Sequence, residues 1–142
     1  MGLNFRMSEL IHSDTAVLYK IVNMPDINSL DNLLLLIVNT LQPVRELIQK
    51  PMIVTSGYRC KQLNQKLNGS PTSEHLKGMA CDFVITGMQV SDIVSKIRHS
   101  KIPFNQLIEE HGKNGTWVHI SYNKAGNKRD VLRYKNGIYT RI

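Results

Sequence analysis

Three side chains able to ligate a metal, His75, Asp82 and His119, stand in contexts that allow them to meet. His75 and Asp82 are seven positions apart in Ser73-Glu74-His75-Leu76-Lys77-Gly78-Met79-Ala80-Cys81-Asp82. Side chains alternate faces along a strand, so Ala80, Asp82 and Val84 share one face while Met79, Cys81, Phe83 and Ile85 line the other. Asp82 therefore leaves the apolar face, and Gly78 permits a sharp turn that brings the His75 imidazole back over the carboxylate. His119 lies in Trp117-Val118-His119-Ile120-Ser121, with Trp117 and Ser121 on its own face. If the two strands pair, the ligands converge. Two imidazoles and one carboxylate suit Zn²⁺, and three protein ligands leave a fourth tetrahedral position for water, as in catalytic sites. Such an ion acidifies its water and polarises a carbonyl, which is hydrolytic chemistry. A base is then needed beside the water. Glu110, at the end of Gln106-Leu107-Ile108-Glu109-Glu110, is the first candidate and Glu109 the alternative. On a regular strand Gln106, Ile108 and Glu110 share a face and Glu109 goes with Leu107, so one acid is expected to face solvent or to sit in irregular backbone.

The elements that must position these residues follow from periodicity. Ser8 to Lys20 predicts a short helix with Ser8 as its cap, broken near Ser13. Leu30, Leu33, Leu34, Ile37, Val38, Leu41, Val44, Leu47 and Ile48 recur at three- and four-residue steps, which predicts a helix burying a wide face, bent or divided at Pro43. Met52 to Thr55 reads as a strand running into a turn, with Arg59 just beyond its end. Cys60 to Leu67 reads as a helical turn or two, Met79 to Ile85 as a central strand, and Ser91 to Ser100 as a helix capped by Ser91. Asn105 to Glu110, Thr116 to Tyr122 and Val131 to Tyr134 complete the expected strands. Helices before strands predict an α+β domain, with N-terminal helices packed on a mainly antiparallel sheet.

The length of 142 residues and a hydrophobic share of 42% predict one domain spanning 1–142. The greasiest run, Leu33 to Val38, is bracketed by Asn32 and Asn39 and is too short to span a membrane. Met1 to Glu9 has one Arg but no apolar stretch before a cleavage site, so no secretory signal is expected there. A net charge of +7 and a pI near 9.6 favour an anionic partner. The basic residues thicken towards the end, at Lys124, Lys128, Arg129, Arg133, Lys135 and Arg141, without the interleaved aromatics of single-strand binders, so no nucleic acid is expected. Cys60 and Cys81 lack metal or redox spacing and read as buried or half-buried thiols. His12, His99 and His111 read as water-facing, and Trp117 as either a cleft wall or packing for the strand of His119.

Taken together, Ser56-Gly57-Tyr58-Arg59 with Asn64, the Ser-x-His-x-x-Gly-x-Ala-x-Asp pattern at Ser73 to Asp82, Gln106-Leu107-Ile108 with Glu110, and Trp117-x-His119 resemble a known family. It is that of the zinc D-Ala-D-Ala carboxypeptidases and related peptidoglycan L-alanyl-D-glutamate endopeptidases, which share a fold with the hedgehog signalling domain. The opening, from Ser8-Glu9-Leu10 to Pro43-x-Arg45, is similar to the small single-domain members of phages and bacteria. The resemblance implies a zinc metallopeptidase of the hedgehog/DD-peptidase fold. It makes His75, Asp82 and His119 the ligands of one zinc ion, Glu110 the general base, and Arg59 the cation on a substrate carboxylate or carbonyl oxygen. Arg suits that role because its rigid fork of donors fits a carboxylate or a developing oxyanion. Ser73, Gln106 and Trp117 follow as substrate contacts. The gap from Glu110 to His119 is longer than in members whose glutamate lies three residues before the last histidine.

The implied partner is peptidoglycan peptide, met as a monomer, with specificity in loops such as Asn68 to Thr72 and Lys113 to Gly115. D-Ala-D-Ala, L-Ala-D-Glu and cross-bridge bonds all stay open. The setting implied is wall degradation or phage lysis, by a protein that is cytoplasmic until lysis releases it or that travels in the virion. The alternative is a zinc-containing binding module that no longer hydrolyses.

Overall fold

The computed structural model describes residues 2–142. Met1, which heads both the expected domain and the segment read for a leader, lies outside the described residues. The expected first helix is two: α1 (Met7–Ile11) and α2 (Asp14–Leu18). The break falls at Ser13 because its hydroxyl accepts from the Ala16 amide at 3.1 Å and so opens α2. Ser8 lies inside α1, whose cap is Arg6.

Asp26 caps the long helical stretch by accepting from the Ser29 amide at 2.8 Å. That stretch is α3 (Ile27–Leu36), a π-helical segment Ile37–Leu41, and α4 (Gln42–Ile48). Pro43 has no amide proton, and its ring would meet the carbonyl four residues back in a regular helix, so the wider π turn just before it lets the helix run on. The wider turn also shifts the apolar face. Leu36 is fully buried although outside the predicted stripe, whereas Leu34, Val38 and Leu47 are nearly half exposed.

The sheet has six strands in the order β1-β2-β4-β3-β5-β6. They are β1 (Ile53–Ser56), β2 (Ala80–Val84), β3 (Gln106–Gly112), β4 (Gly115–Ser121), β5 (Asp130–Lys135) and β6 (Ile138–Arg141). Neighbours are antiparallel except β3 and β5, which run parallel, so the sheet is mixed and the fold is α+β. Strand β6 was not expected, since Ile138-Tyr139-Thr140-Arg141 is too short and too exposed to show alternation. Between β1 and β2 lie α5 (Lys61–Lys66) and a 3₁₀ turn, Glu74–Lys77; α6 (Val90–Arg98) links β2 to β3. Helix α6 begins one residue before Ser91, with Gln89 as its cap.

One face of the sheet carries Cys81, Phe83, Leu107, Val118 and Ile120, all fully buried against Leu33, Leu36 and Leu41 of the long helix and Ile93 and Ile97 of α6. Burying a large aliphatic or aromatic side chain is worth roughly 1.5–3 kcal/mol, so this layer fixes the sheet on the helices. The opposite face is left to the polar residues that alternate with these. Met79 departs from the expected core face: it precedes β2 and lines the cleft on the polar side. Cys60 is half-buried and Cys81 buried, both as free thiols. Among the described residues no helix is long and apolar enough to cross a membrane.

Candidate metal centre and cleft

On the polar face Asp82 of β2 stands directly opposite His119 of β4, and the pairing brings carboxylate and imidazole together. Asp82 Oδ1 is 2.9 Å from His119 Nδ1 and 3.2 Å from His75 Nε2. His75 reaches this point from the 3₁₀ turn. Gly78 closes that turn at φ +71°, and a Cβ there would stand 2.4 Å from the Ser29 carbonyl of α3, so the close approach that seats the turn requires glycine. His75 Nδ1 lies 2.7 Å from the carbonyl oxygen of Gly57. A proton donated from Nδ1 to that carbonyl leaves the Nε2 lone pair facing Asp82, as a ligating histidine requires.

The three donor atoms lie within 4.8 Å of one another, and all three residues are buried. A tetrahedral zinc ion with bonds of about 2.0–2.1 Å holds its donors roughly 3.3 Å apart, close to the 2.9 and 3.2 Å that separate Asp82 from the two imidazole nitrogens. The donor set, two imidazoles and a carboxylate, is also the right chemistry for it. His75, Asp82 and His119 could hold a metal ion.

Burial pulls the His75 imidazole below its ordinary pKa, against the charge of Asp82. Burial acts the same way on His119, but the hydrogen bond and charge of Asp82, with Glu110 and Glu74 behind, outweigh it and raise the group. Burial opposes the charge on Asp82, yet the two imidazoles hold its carboxyl far below the usual carboxylate range. Arg59 donates from Nη2 to Asp82 Oδ2 at 3.2 Å. Its Nε donates to Ser56 Oγ at 2.9 Å and its Nη1 to Asn64 Oδ1 at 3.4 Å. Arg59 thus lines the cleft with much of its fork already engaged within the protein.

The two acids of β3 separate cleanly. Glu110 faces the cleft with Oε1 4.0 Å from His119 Nδ1; burial raises its pKa, the charge of Asp82 adds to that, and His119 and Arg59 oppose it. Glu109 points through to the other face, is only 5% exposed, and forms an ion pair with Arg133 on β5. Neither acid faces open solvent or breaks the strand. The expectation that one must do so failed because Arg133, brought alongside by the parallel pairing of β3 and β5, neutralises the buried one. The long gap between Glu110 and His119 is also explained, since β3 and β4 form a hairpin and Glu110 stands opposite Trp117 on the neighbouring strand.

The cleft has a volume of about 760 Å³ and is lined by Arg59, Ser73, Gln106, Glu110 and Trp117 as well as the three donors. Ser73 Oγ accepts from the His75 amide at 3.2 Å and so caps the 3₁₀ turn. Trp117 walls the cleft and also packs its ring over Gly112. His111, expected to face water, is half-buried on β3, on the face away from the cleft, with Nε2 3.7 Å from Glu109. His12 and His99 are exposed. Of the two expected loops, Asn68 to Thr72 borders the cleft and Lys113 to Gly115, the β3–β4 turn, does not. Sequence reasoning missed Glu74, whose carboxylate accepts from Ser121 Oγ at 2.8 Å and Asn105 Nδ2 at 3.2 Å. The clue was there: Ser121 shares the face of His119 and is buried, so it needs a partner. Tyr134 and Tyr139, which also line the cleft, gave no such signal.

No curated protein matches the chain. Residues 3–121, which hold all three donors, Arg59 and Glu110, match the Peptidase M15 family model, and the chain belongs to this family of zinc-dependent metallopeptidases.

Proposed function

We propose that this chain is a zinc peptidase that hydrolyses a peptide bond in peptidoglycan stem peptides, acting as a single monomeric domain of the hedgehog/DD-peptidase type. His75 Nε2, Asp82 and His119 Nδ1 are its zinc ligands. When bound, zinc supplies a Lewis acid that acidifies a water and polarises a carbonyl. Glu110 takes the proton from the attacking water and hands it to the leaving amine, a task suited to a carboxylate set above its usual range by burial. Arg59 holds Asp82 in place and turns its remaining N–H groups to the substrate carbonyl or carboxylate. Ser73, Gln106 and Trp117 border the bound peptide.

The observation that carries this reading is the juxtaposition of Glu110 with a three-donor cluster in an open cleft, 4.0 Å from His119 Nδ1. A binding module that had lost hydrolysis has no need of an acid there. Cell-wall degradation, by a phage enzyme or a bacterial one released on lysis, is the setting that fits. The test is digestion of purified peptidoglycan by the zinc-loaded protein, with and without chelator, and mass spectrometry of the new termini. Chelator-sensitive release of a defined fragment names the bond, carboxypeptidase or endopeptidase. Stoichiometric zinc without cleavage leaves a binding module or another substrate.

A further inference from the structure

The family match ends at Ser121, yet the cleft does not. Strand β5 adds to β3 in parallel and β6 folds back on β5, so the sheet extends two strands beyond the matched region. The register sets a row of side chains across the polar face. Trp117 of β4 stands opposite Glu110 of β3, Glu110 opposite Tyr134 of β5, and Tyr134 opposite Tyr139 of β6. All four line the cleft. The two tyrosine rings lie 4.7 Å apart, tilted by 48°. Tyr139 is 58% exposed, so the pair presents an open aromatic surface. With strands spaced about 4.8 Å apart, that surface begins beside Glu110 and ends about 10 Å from it.

The hairpin is held firmly. Glu109, one residue from Glu110 but on the other face, forms its ion pair with Arg133 of β5, and Arg141 of β6 donates to Asp130 at 3.2 Å. An exposed cross-strand pair of tyrosines could serve only to stabilise a hairpin. These two instead continue the row of Glu110 within the same cleft.

We propose that Tyr134 and Tyr139 form a binding wall for a sugar ring of the glycan strand, so that the enzyme prefers stem peptides still attached to glycan. This rests on the peptidoglycan reading above. Stem peptides offer mostly short or charged side chains, whereas a pyranose offers a flat face of C–H groups edged by hydroxyls and amides. Tyrosine has the matching character, apolar on the ring face and polar at the tip. The hairpin's Arg133 and Arg141 are engaged by Glu109 and Asp130, so the wall meets its occupant with aromatic faces rather than with these charges.

The test compares cleavage of one peptide sequence in two forms, free and joined to its disaccharide, by the zinc-loaded protein and its Tyr139→Ala, Tyr134→Ala and Tyr139→Phe variants. Aromatic contacts of this kind correspond to about 3- to 10-fold. The ratio of kcat/KM for the joined over the free form should fall by that factor in each alanine variant, through KM, and return in Tyr139→Phe. A ratio unchanged in both alanine variants overturns the wall. Titration of the free disaccharide into ¹⁵N-labelled protein separates the two readings. If neither peptide is cut but amides of 130–141 shift and Tyr139→Ala abolishes the shift, the peptidase reading fails and the wall stands; no shift there means no sugar site.

Discussion

Gly57 links the first helix to the candidate metal centre, and replacing it with alanine tests that link. A Cβ at position 57 would lie 2.2 Å from the carbonyl oxygen of Leu10 and 2.8 Å from its Cα. To reach an ordinary contact of 3.4 Å the two backbones must part by about 1.2 Å. Leu10 cannot yield easily, because its side chain is fully buried in the main core. The loop after β1 must move instead, and two bonds go with it: the Tyr58 amide to the Leu10 carbonyl at 2.7 Å, and the Gly57 carbonyl to His75 Nδ1 at 2.7 Å. Overpacking of this kind costs about 1–3 kcal/mol and a lost hydrogen bond about 1 more, so Gly57→Ala should lose about 2–4 kcal/mol of stability. Freeing the ring nitrogen that orients His75 should also weaken zinc binding about 10- to 100-fold. Urea unfolding measures the first effect and competitive zinc titration of the folded variant the second. A variant within 0.5 kcal/mol of the parent and with its zinc affinity would refute the argument that this close approach sets the His75 geometry.

Glu110→Gln should keep zinc bound while kcat falls at least about 100-fold, whereas Glu109→Gln should lower stability and spare kcat; the reverse pattern in steady-state assays would transfer the base to Glu109. Zinc at 100 times its Kd should stabilise the fold by about 2.7 kcal/mol, read as a rise in the urea midpoint that chelator abolishes and that His75→Ala never shows. Asp26 is held below its ordinary 3.8 by the Ser29 amide, so it adds stability above that value and loses it as pH falls through its lowered pKa. Acid unfolding should accordingly start from a lower plateau and fall less steeply in Asp26→Asn, and identical pH profiles for the two proteins would sink this. Phe83→Ala, which empties a fully buried site under the helices, should cost about 3–5 kcal/mol in urea melts.

The residues of the centre were legible in the sequence because strand alternation is a local property. Asp82 and His119 each sit among apolar neighbours that must face the helices, so each had to point the other way. The glycine at 78 marked the turn that returns His75, Ser13 marked the break between the first two helices, and Pro43 marked where the long helix changes its winding. Two helix caps were misplaced by two residues, since Arg6 and Gln89 hold the cap positions where serines were expected.

What the tertiary structure alone decided is which strand lies beside which. Alternation put Glu109 and Glu110 on opposite faces but said nothing of what waited on each. The choice came from β5, which arrives parallel to β3 and sets Arg133 against Glu109 and Tyr134 beside Glu110. The phase of the long helix, the engagement of Arg59 by Ser56, Asn64 and Asp82, and the tyrosine wall have the same origin. Each depends on contacts between residues far apart in the chain, and the periodicity of a single segment carries no record of its neighbours.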